Sequence, residues 1–332
     1  MDLKLFSYNY PKELIAQQPL TERDASKMMV LNRVPKKWAH HSIKELPDFL
    51  SKGDVLVFNN TKVFPARILA QGTNIELLLL EKLGENVWRC LGKPLKKVKE
   101  GLRLQFGDDF FGKILEKTAE DCTVEFEGEN SEQQIEKWGL PPLPPYIQRK
   151  TKQDYTDIDR ERYQSIFAKI SGSAAAPTAS FHFSQELLQK IIDCGVQTTS
   201  VTLHVSTDTF LPIRSSDITQ HRMHGEKFSV PKETADIIHQ AKKEGRRVIA
   251  VGTTVVRALE SDWNKSLTDL FIYPEYPFKI VDGILTNFHQ PESTLIVLVS
   301  AFANREFILQ AYQEAITKQY RLFSYGDCML IL

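Results

Sequence analysis

A block of short β-type runs between residues 66 and 139 constrains the fold of this chain more than any other feature. Apolar and β-branched runs alternate there with Gly, Asn and Asp, a spacing typical of an antiparallel β-barrel or sandwich. The block ends in WGLPPLPPYIQRK, whose prolines exclude a helix or central strand and predict an extended loop. The block therefore predicts a β-rich unit inserted within the chain.

After residue 155 the pattern alternates between helices and strands. FSQELLQKIIDCG predicts a helix that Ser184 caps and Gly195 ends, and TTSVTLHV predicts the following strand. PKETADIIHQAKKEG, RRVIAVG and TTVVRALESDW then predict a helix, a buried strand and a helix with a threonine cap. Such alternation argues for an α/β layer.

We therefore predict a multi-domain α/β (α+β) protein, with a mixed α/β main domain and an inserted antiparallel β-barrel domain. Residues 1–65 and 150–332 form the discontinuous α/β catalytic domain in this prediction, and residues 66–149 form the inserted barrel. The length of 332 residues exceeds one usual domain, which agrees with two.

Charge, hydropathy and cysteine usage restrict the partners and the compartment. The formal net charge is +0, so a polyanionic partner must use a local basic patch. No apolar run reaches the roughly 18 residues of a membrane span, and the N-terminus has no signal-peptide pattern. The 4 cysteines include no C-x-x-C pair, which predicts reduced, mostly buried thiols in a cytoplasmic protein.

The uncharged stretch SGSAAAPTASFHFS, residues 171–184, combines small side chains with one histidine. Small residues allow a ligand to approach the backbone closely, with His182 beside it. A tight turn that His182 merely anchors is the alternative.

The stretch VIAVGTTVVRALES predicts a strand, a tight turn at Gly252 and a helix that opens at Thr253 and Thr254. In α/β sheets, ligands bind at the carboxyl ends of strands, near helix N-termini. An ordinary strand-turn-helix connection explains the same residues equally well. Arg257 and Glu260, one turn apart, either form a surface pair or line the site.

Further polar residues stand near predicted strand ends. His204 precedes a polar turn, and Asp282 and His289 flank the apolar run in DGILTNFHQPESTL. His221, His224 and Glu226 make a metal site conceivable, but a structural role is favoured because no second ligand cluster follows.

One basic segment can serve nucleic acid. WRCLGKPLKKVKEGLRL contains Lys93, Lys96, Lys97 and Lys99, and Arg149 follows the proline-rich loop. The segment is either a solvated face or a patch that follows a phosphate backbone.

Taken together, the segments resemble the S-adenosylmethionine:tRNA ribosyltransferase-isomerases of queuosine biosynthesis. The matching stretches, in the family's order and over nearly the whole chain, are YPKELIAQQPLTERDASKMMVL, GDVLVFNNTKVFPARI, LPPLPPYIQR, RYQSIFA, GSAAAPTASFHFS, VTLHVSTDTF, HRMHGE, IAVGTTVVRALES, TDLFIYPEYPFKIVDGILTNFHQPESTLIVLVSAFA and YRLFSYGDCMLI.

The resemblance implies a fold and a reaction. The fold is an α/β domain with an inserted β-barrel. The ribosyl part of S-adenosylmethionine, the co-substrate, is transferred to preQ1 at the wobble position of tRNA and isomerised. The products are epoxyqueuosine in tRNA, adenine and methionine. No metal and no membrane are implied, and we expect a monomer.

The implied chemistry assigns candidate residues. Proton transfers near neutrality favour histidine, which makes His182 and His204 the catalytic candidates. Cationic side chains suit the methionine carboxylate or the tRNA phosphates, for which Lys93, Lys96, Lys97, Lys99 and Arg149 are the candidates. The substrate-binding candidates are Ala176, Pro177, Thr178, Ser180, Thr209, Thr253, Thr254, Arg257, Asp282 and His289.

The chain departs from the family pattern at several glycines. Ser206 and Asp208 replace a Gly-x-Gly pattern, Ser180 stands where a glycine is common, and MHGE replaces Met-His-Ser-Glu. A divergent tRNA-binding member without catalysis, or with an altered substrate, is therefore the alternative function. A methyltransferase ranks low, because no glycine-rich loop follows an early strand.

Overall fold

The computed structural model describes residues 1–149, 154–206, 213 and 215–332. Its strands, in chain order, are β1 (Lys27–Asn32), β2 (Lys37–Ser42), β3 (Val55–Asn59), β4 (Thr61–Val63), β5 (Arg67–Leu69), β6 (Glu76–Lys82), β7 (Val87–Lys93), β8 (Arg103–Gly107), β9 (Phe110–Lys117), β10 (Cys122–Phe126), β11 (Ile170–Ser173), β12 (Gln197–Leu203), β13 (Glu226–Ser229), β14 (Val248–Val251), β15 (Leu267–Thr268), β16 (Gly283–Asn287) and β17 (Cys328–Ile331). Its α-helices are α1 (Ser131–Trp138), α2 (Asp157–Arg162), α3 (Gln185–Asp193), α4 (Lys232–Lys243), α5 (Thr253–Glu260), α6 (Thr294–Ala303) and α7 (Arg305–Thr317).

A large mixed sheet forms the main layer. Its strand order is β15-β13-β12-β3-β14-β16-β17-β1-β2. The four strands β12, β3, β14 and β16 run parallel to one another, so their carboxyl ends share one edge of the sheet. The α/β layer that the sequence predicts is therefore confirmed.

Local sequence explains how the helices in this layer begin. Ser184 caps α3 as predicted, because its side chain accepts a hydrogen bond from the backbone N–H of Leu187. The predicted threonine cap of α5 is wrong, because Gly252 is the cap residue and Thr253 already lies within the helix. The turn needs a φ of +99° at that position, a conformation that glycine adopts without strain.

The inserted β-rich block forms a separate antiparallel sheet. Its strand order is β5-β6-β7-β10-β9-β8. The backbone N–H of Gln71, just after β5, donates to the carbonyl of Gln105 in β8 at 2.7 Å, so the first and last strands nearly close the sheet into a barrel. The barrel has its own core, which includes Phe106, Phe110 and Phe126. The division into domains at residues 66 and 149 stays a prediction.

The C-terminal strand completes the main sheet. β17 lies between β16 and β1, so the polar turn before it returns the chain into the core. The longest apolar run, residues 295–302, lies in the buried helix α6. Among the described helices, none alone is long and apolar enough to span a membrane, and α6 and α7 satisfy that test only together, across a bend of 113°. All four thiols are free, and three of them are buried.

Candidate active site

A cleft opens at the carboxyl edge of the parallel strands. Gly252 and Thr253 follow β14. Asn287 is the last residue of β16, and His289 comes shortly after that strand. All four residues line the cleft. Residues 176–179 form the facing wall, and the turn at Phe323 and Ser324 closes one side. This is the edge at which open α/β sheets bind their ligands.

The cleft is uncharged where its lining belongs to the described part of the chain. Among the described residues that line it, none is Asp, Glu, Lys or Arg. Hydroxyls and amides supply the polarity, through Thr178, Thr254, Thr286, Asn287 and Ser293. Such a lining suits a ligand that is recognised by hydrogen bonds and ring contacts rather than by ion pairs.

Several predicted substrate-binding residues meet in this cleft. They are Ala176, Pro177, Thr178, Thr253, Thr254 and His289. These residues come from three segments far apart in the sequence, and the direction of the parallel strands brings them together. Their contact with substrate stays a prediction.

Asn59 fixes the base of the cleft. It is fully buried, and its side-chain amide donates to the carbonyl of Leu203 at 2.9 Å and to Thr254 Oγ1 at 3.2 Å. Its Oδ1 accepts from the backbone N–H groups of Thr61 and Leu203. One side chain therefore ties β3, β12 and the start of α5 together. In the sequence, Asn59 is distinguished only by its place at the end of the apolar run VLVF.

His182 lies behind the cleft rather than in it. Its Nε2 accepts a hydrogen bond from Asn287 Nδ2 at 3.2 Å, so Nδ1 carries the proton and donates to Ser26 Oγ at 2.9 Å. Complete burial, followed by the charge of Arg321, lowers its pKa to about 4. A neutral imidazole with both nitrogens engaged is a positioning group, so this geometry does not support the predicted catalytic role of His182.

Asn287 connects His182 to the cleft, because it lines the cleft and is hydrogen-bonded to His182. The Asn287 amide group also donates to the carbonyl of Phe323 at 3.1 Å, and its Oδ1 accepts from Thr178 Oγ1 at 3.1 Å. Asn287 therefore joins three walls of the cleft. Its sequence signal is the polar pair that ends the strand GILTN.

His289 lines the cleft and is held neutral. Its Nε2 lies 2.9 Å from Thr286 Oγ1, and its backbone N–H donates to the hydroxyl of Tyr312. Burial lowers its pKa to about 3. A nitrogen with that pKa is a weak base at neutral pH, so His289 is better suited to hydrogen bonding than to proton abstraction.

His204 lies just beyond β12, in a groove next to the cleft. Its Nδ1 is 2.8 Å from Thr61 Oγ1, which itself donates to Ser173 Oγ at 2.9 Å. Nδ1 therefore donates to Thr61, and Nε2 is left as the basic nitrogen. A side chain at Gly172 would come within 2.7 Å of the His204 ring, so glycine is required there. Burial and then Lys227 lower the pKa of His204, which keeps the ring neutral at pH 7.

The groove beside His204 has a volume of about 850 Å³. It lies between the barrel and the main sheet, and Val205 lines both the groove and the cleft. Trp88 and Arg89 of β7 form part of its barrel side. The two cavities are therefore neighbours.

Arg257 does not line the cleft. It is buried, its guanidinium pairs with the buried carboxylate of Glu226, and its Nε donates to the carbonyl of Leu270. Glu260 instead accepts hydrogen bonds from the backbone of residues 279–281, so the surface pair of Arg257 with Glu260, one of the two alternatives, is not formed. Glu226 also accepts the backbone N–H of Ser206 at 2.9 Å, which anchors that departure from the family pattern.

Asp282 lies at the opposite edge of the sheet. It precedes β16, whereas the cleft is at the carboxyl end of that strand, about 16 Å away. There Asp282 pairs with Lys242 at 2.7 Å and accepts the backbone N–H of Val248. The geometry does not support its predicted role in substrate binding. Because Asp282 precedes the strand and His289 follows it, the two residues lie at opposite ends of β16.

A further predicted substrate residue, Ser180, is not among the residues that line the cleft. Ser180 is fully buried, in the short 3-10 helix Thr178–His182. Thr209 and Asp208 lie outside the described residues. The described residues contain no group of three or more His, Cys, Asp or Glu side chains that could hold a metal ion.

The predicted tRNA-binding residues separate into two sets. Lys93, Lys96, Lys97 and Lys99 are exposed, at the end of β7 away from the groove. By contrast, Arg149 forms a two-point ion pair with the buried Asp159. Its guanidinium is already engaged, so this geometry does not support a contact of Arg149 with phosphate.

Comparisons with known proteins agree on one family. A model of the family described as "Queuosine biosynthesis protein" matches residues 3–331. The chain is similar to the S-adenosylmethionine:tRNA ribosyltransferase-isomerases of Sulfurihydrogenibium sp., at 46% identity over 340 residues, and of Thermosipho melanesiensis, at 46% over 341 residues. Each match covers 100% of both chains. The crystal structure of an S-adenosylmethionine tRNA ribosyltransferase from Thermotoga maritima is similar with a TM-score of 0.57 and 37% identity, over 99% of this chain and 100% of that one.

Proposed function

This chain belongs to the family of queuosine biosynthesis proteins, and from that premise we propose that it is an S-adenosylmethionine:tRNA ribosyltransferase-isomerase. The observation that carries the proposal is the identity of 46% to relatives of that name over the full length of both chains. The cytoplasm and a monomeric state are parts of the proposal.

In the finer form of the proposal, the acceptor is preQ1 at the wobble position of tRNA. The sulfonium of S-adenosylmethionine acidifies the neighbouring C5′ protons, and a base removes one of them. Adenine takes up a proton as it leaves, and the neutral amine of preQ1 attacks the ribosyl group. A ribose hydroxyl then displaces methionine, which closes the epoxide of epoxyqueuosine.

The cleft supplies the binding part of this reaction. The small side chains of Ala176 and Pro177 allow a sugar or base to approach the backbone, and Thr178 and Thr254 offer hydroxyls to it. Asn287 has a carbonyl oxygen with a second lone pair for a ribose hydroxyl. These groups are held by buried hydrogen bonds, so they need little reorganisation when substrate binds.

His204 is the proposed base. Its Nδ1–H donates a hydrogen bond to Thr61, so Nε2 is the nitrogen that can accept a proton. The pKa of His204 is below its ordinary value, so Nε2 is unprotonated at neutral pH and available as a base. His204 adjoins Val205, which borders both cavities. The preQ1 nucleotide would enter through the groove and S-adenosylmethionine would occupy the cleft, so that the two meet beside His204.

The exposed lysines Lys93, Lys96, Lys97 and Lys99 suit the tRNA backbone farther from the reacting base. Lys93 is five residues from Trp88 along β7, or about 17 Å. Because an anticodon arm is wider than that separation, one tRNA can reach both the groove and the lysines. Neutralised phosphates would then make binding dependent on salt.

The test is a single-turnover reaction with preQ1-containing tRNA and S-adenosylmethionine, in which adenine and the nucleoside product are followed by mass spectrometry. We expect adenine release only in the presence of this tRNA, together with epoxyqueuosine. Unmodified tRNA is the control for the acceptor amine. Formation of S-adenosylhomocysteine would instead indicate a methyltransferase, and binding of tRNA without adenine release would indicate a protein that has lost catalysis.

A further inference from the structure

A strained aromatic residue forms one wall of the cleft. Phe323 has a φ of +69°, in the left-handed region that bulky residues rarely adopt. Its side chain is 3% exposed and lines the cleft. Such strain persists only where surrounding contacts maintain it, and it concentrates at functional sites.

Several contacts hold Phe323 in this conformation. Its carbonyl accepts two hydrogen bonds, from the N–H of Gly326 at 2.9 Å and from Asn287 Nδ2 at 3.1 Å. The preceding residue, Leu322, makes two backbone hydrogen bonds: its N–H donates to the carbonyl of Leu14, and its carbonyl accepts from the N–H of Ala16. A side chain at Gly326 would come within 2.4 Å of the backbone, so only glycine permits the turn.

The ring of Phe323 forms a corner with a second aromatic residue. Tyr146 also lines the cleft, its ring centroid is 5.0 Å from that of Phe323, and the two planes are inclined at 56°. The hydroxyl of Tyr146 is hydrogen-bonded to Ser324 Oγ at 2.6 Å, which fixes the orientation of its ring. Two inclined aromatic rings at the wall of a cavity suit a cation.

The charge of the proposed ligand requires such a partner. S-adenosylmethionine carries its positive charge on the reacting sulfonium, which has no N–H with which to donate a hydrogen bond. No carboxylate is among the described residues that line the cleft. Aromatic faces attract cations of this kind without neutralising them, so the sulfonium keeps the charge that acidifies C5′.

We propose that Phe323, together with Tyr146, recognises the sulfonium of S-adenosylmethionine and determines the preference of the cleft for this cation over the neutral thioether. The inference rests on the proposed function and adds a specificity determinant to it. His182 and Asn287 act as positioning residues for this wall, because the Asn287 amide that His182 orients holds the Phe323 carbonyl.

The test compares three ligands on four proteins by calorimetry. The ligands are S-adenosylmethionine, S-adenosylhomocysteine, and an analogue with a protonated amine in place of the sulfonium. The proteins are the unaltered chain, Phe323→Leu, Phe323→Tyr, and Tyr273→Leu, which removes an exposed ring away from the cleft. Thermal unfolding of each variant checks that it is folded.

We expect Phe323→Leu to weaken binding of both cationic ligands about tenfold, and to change binding of the neutral thioether by less than twofold. Phe323→Tyr, which keeps a ring, should restore the preference for the cations, and Tyr273→Leu should leave it unchanged. An equal loss for all three ligands, or no loss, would overturn the inference and leave the proposed function intact. Failure of the unaltered chain to bind S-adenosylmethionine would overturn both.

Discussion

Replacing Arg257 by alanine will lower the free energy of unfolding by about 3 to 5 kcal/mol, because it leaves the carboxylate of Glu226 buried without its cation. The side chains of the pair are 6% and 2% exposed. Arg257 also donates to the carbonyl of Leu270, which loses that hydrogen bond. Urea denaturation followed by tryptophan fluorescence measures the change.

An exposed ion pair on α4 provides the matched control. The side chains of Lys232 and Asp236 are 87% and 60% exposed, so Lys232→Ala should leave the free energy of unfolding nearly unchanged. Equal stabilities of the Arg257→Ala and Lys232→Ala proteins would contradict the account of a buried pair.

We also expect Arg257→Ala to reduce turnover, because Glu226 anchors the backbone of Ser206 beside His204.

Acidification from pH 6.5 to pH 4 will destabilise the protein through His182 and His289. Their pKa values are lowered to about 4 and about 3, whereas an unfolded histidine has a pKa of about 6.5. The unfolded chain therefore takes up protons first as the pH falls. The contribution of the two neutral histidines to the free energy of unfolding is fully present above pH 6.5. It declines below that pH, by about 3 kcal/mol for each histidine at pH 4.

Unfolding free energies at pH 7, 6, 5 and 4.5 measure this decline. The His182→Gln protein should show a shallower dependence on pH than the unaltered chain, whereas His239→Gln, which removes an exposed histidine, should show the same one. A stability that does not change between pH 6.5 and pH 5 would contradict the neutral, buried state of both rings.

The sequence predicted the architecture because its patterns are local. The cap at Ser184, the apolar strand Val248–Val251 and the short runs of the barrel each express a preference of neighbouring residues, and the fold follows those preferences. Gly252 was recognised as a turn, although its φ of +99° also makes it, rather than a threonine, the cap of α5. The predicted start of the helix is wrong by one residue, because a single backbone angle determines which of two adjacent residues is the cap.

The site was predictable only in part, because its contacts are not local. Thr178, Thr253 and His289 meet at one edge because four strands run parallel, which the alternation of elements implies. The partner of Arg257 is 31 residues away, and that of His182 is 105 residues away, so neither role could be read from its own segment. Phe323 had no local signal, since its importance lies in a backbone angle and in an amide from another strand.

The central claim is that S-adenosylmethionine binds in the cleft at the carboxyl edge of the sheet. The most direct test is a crystal structure of the protein with S-adenosylmethionine. The account predicts the ligand between residues 176–179 and Thr254, with its sulfonium within about 6 Å of the centre of the Phe323 ring. A ligand that instead occupies the groove beside Trp88 and Arg89, away from Phe323, would contradict the account.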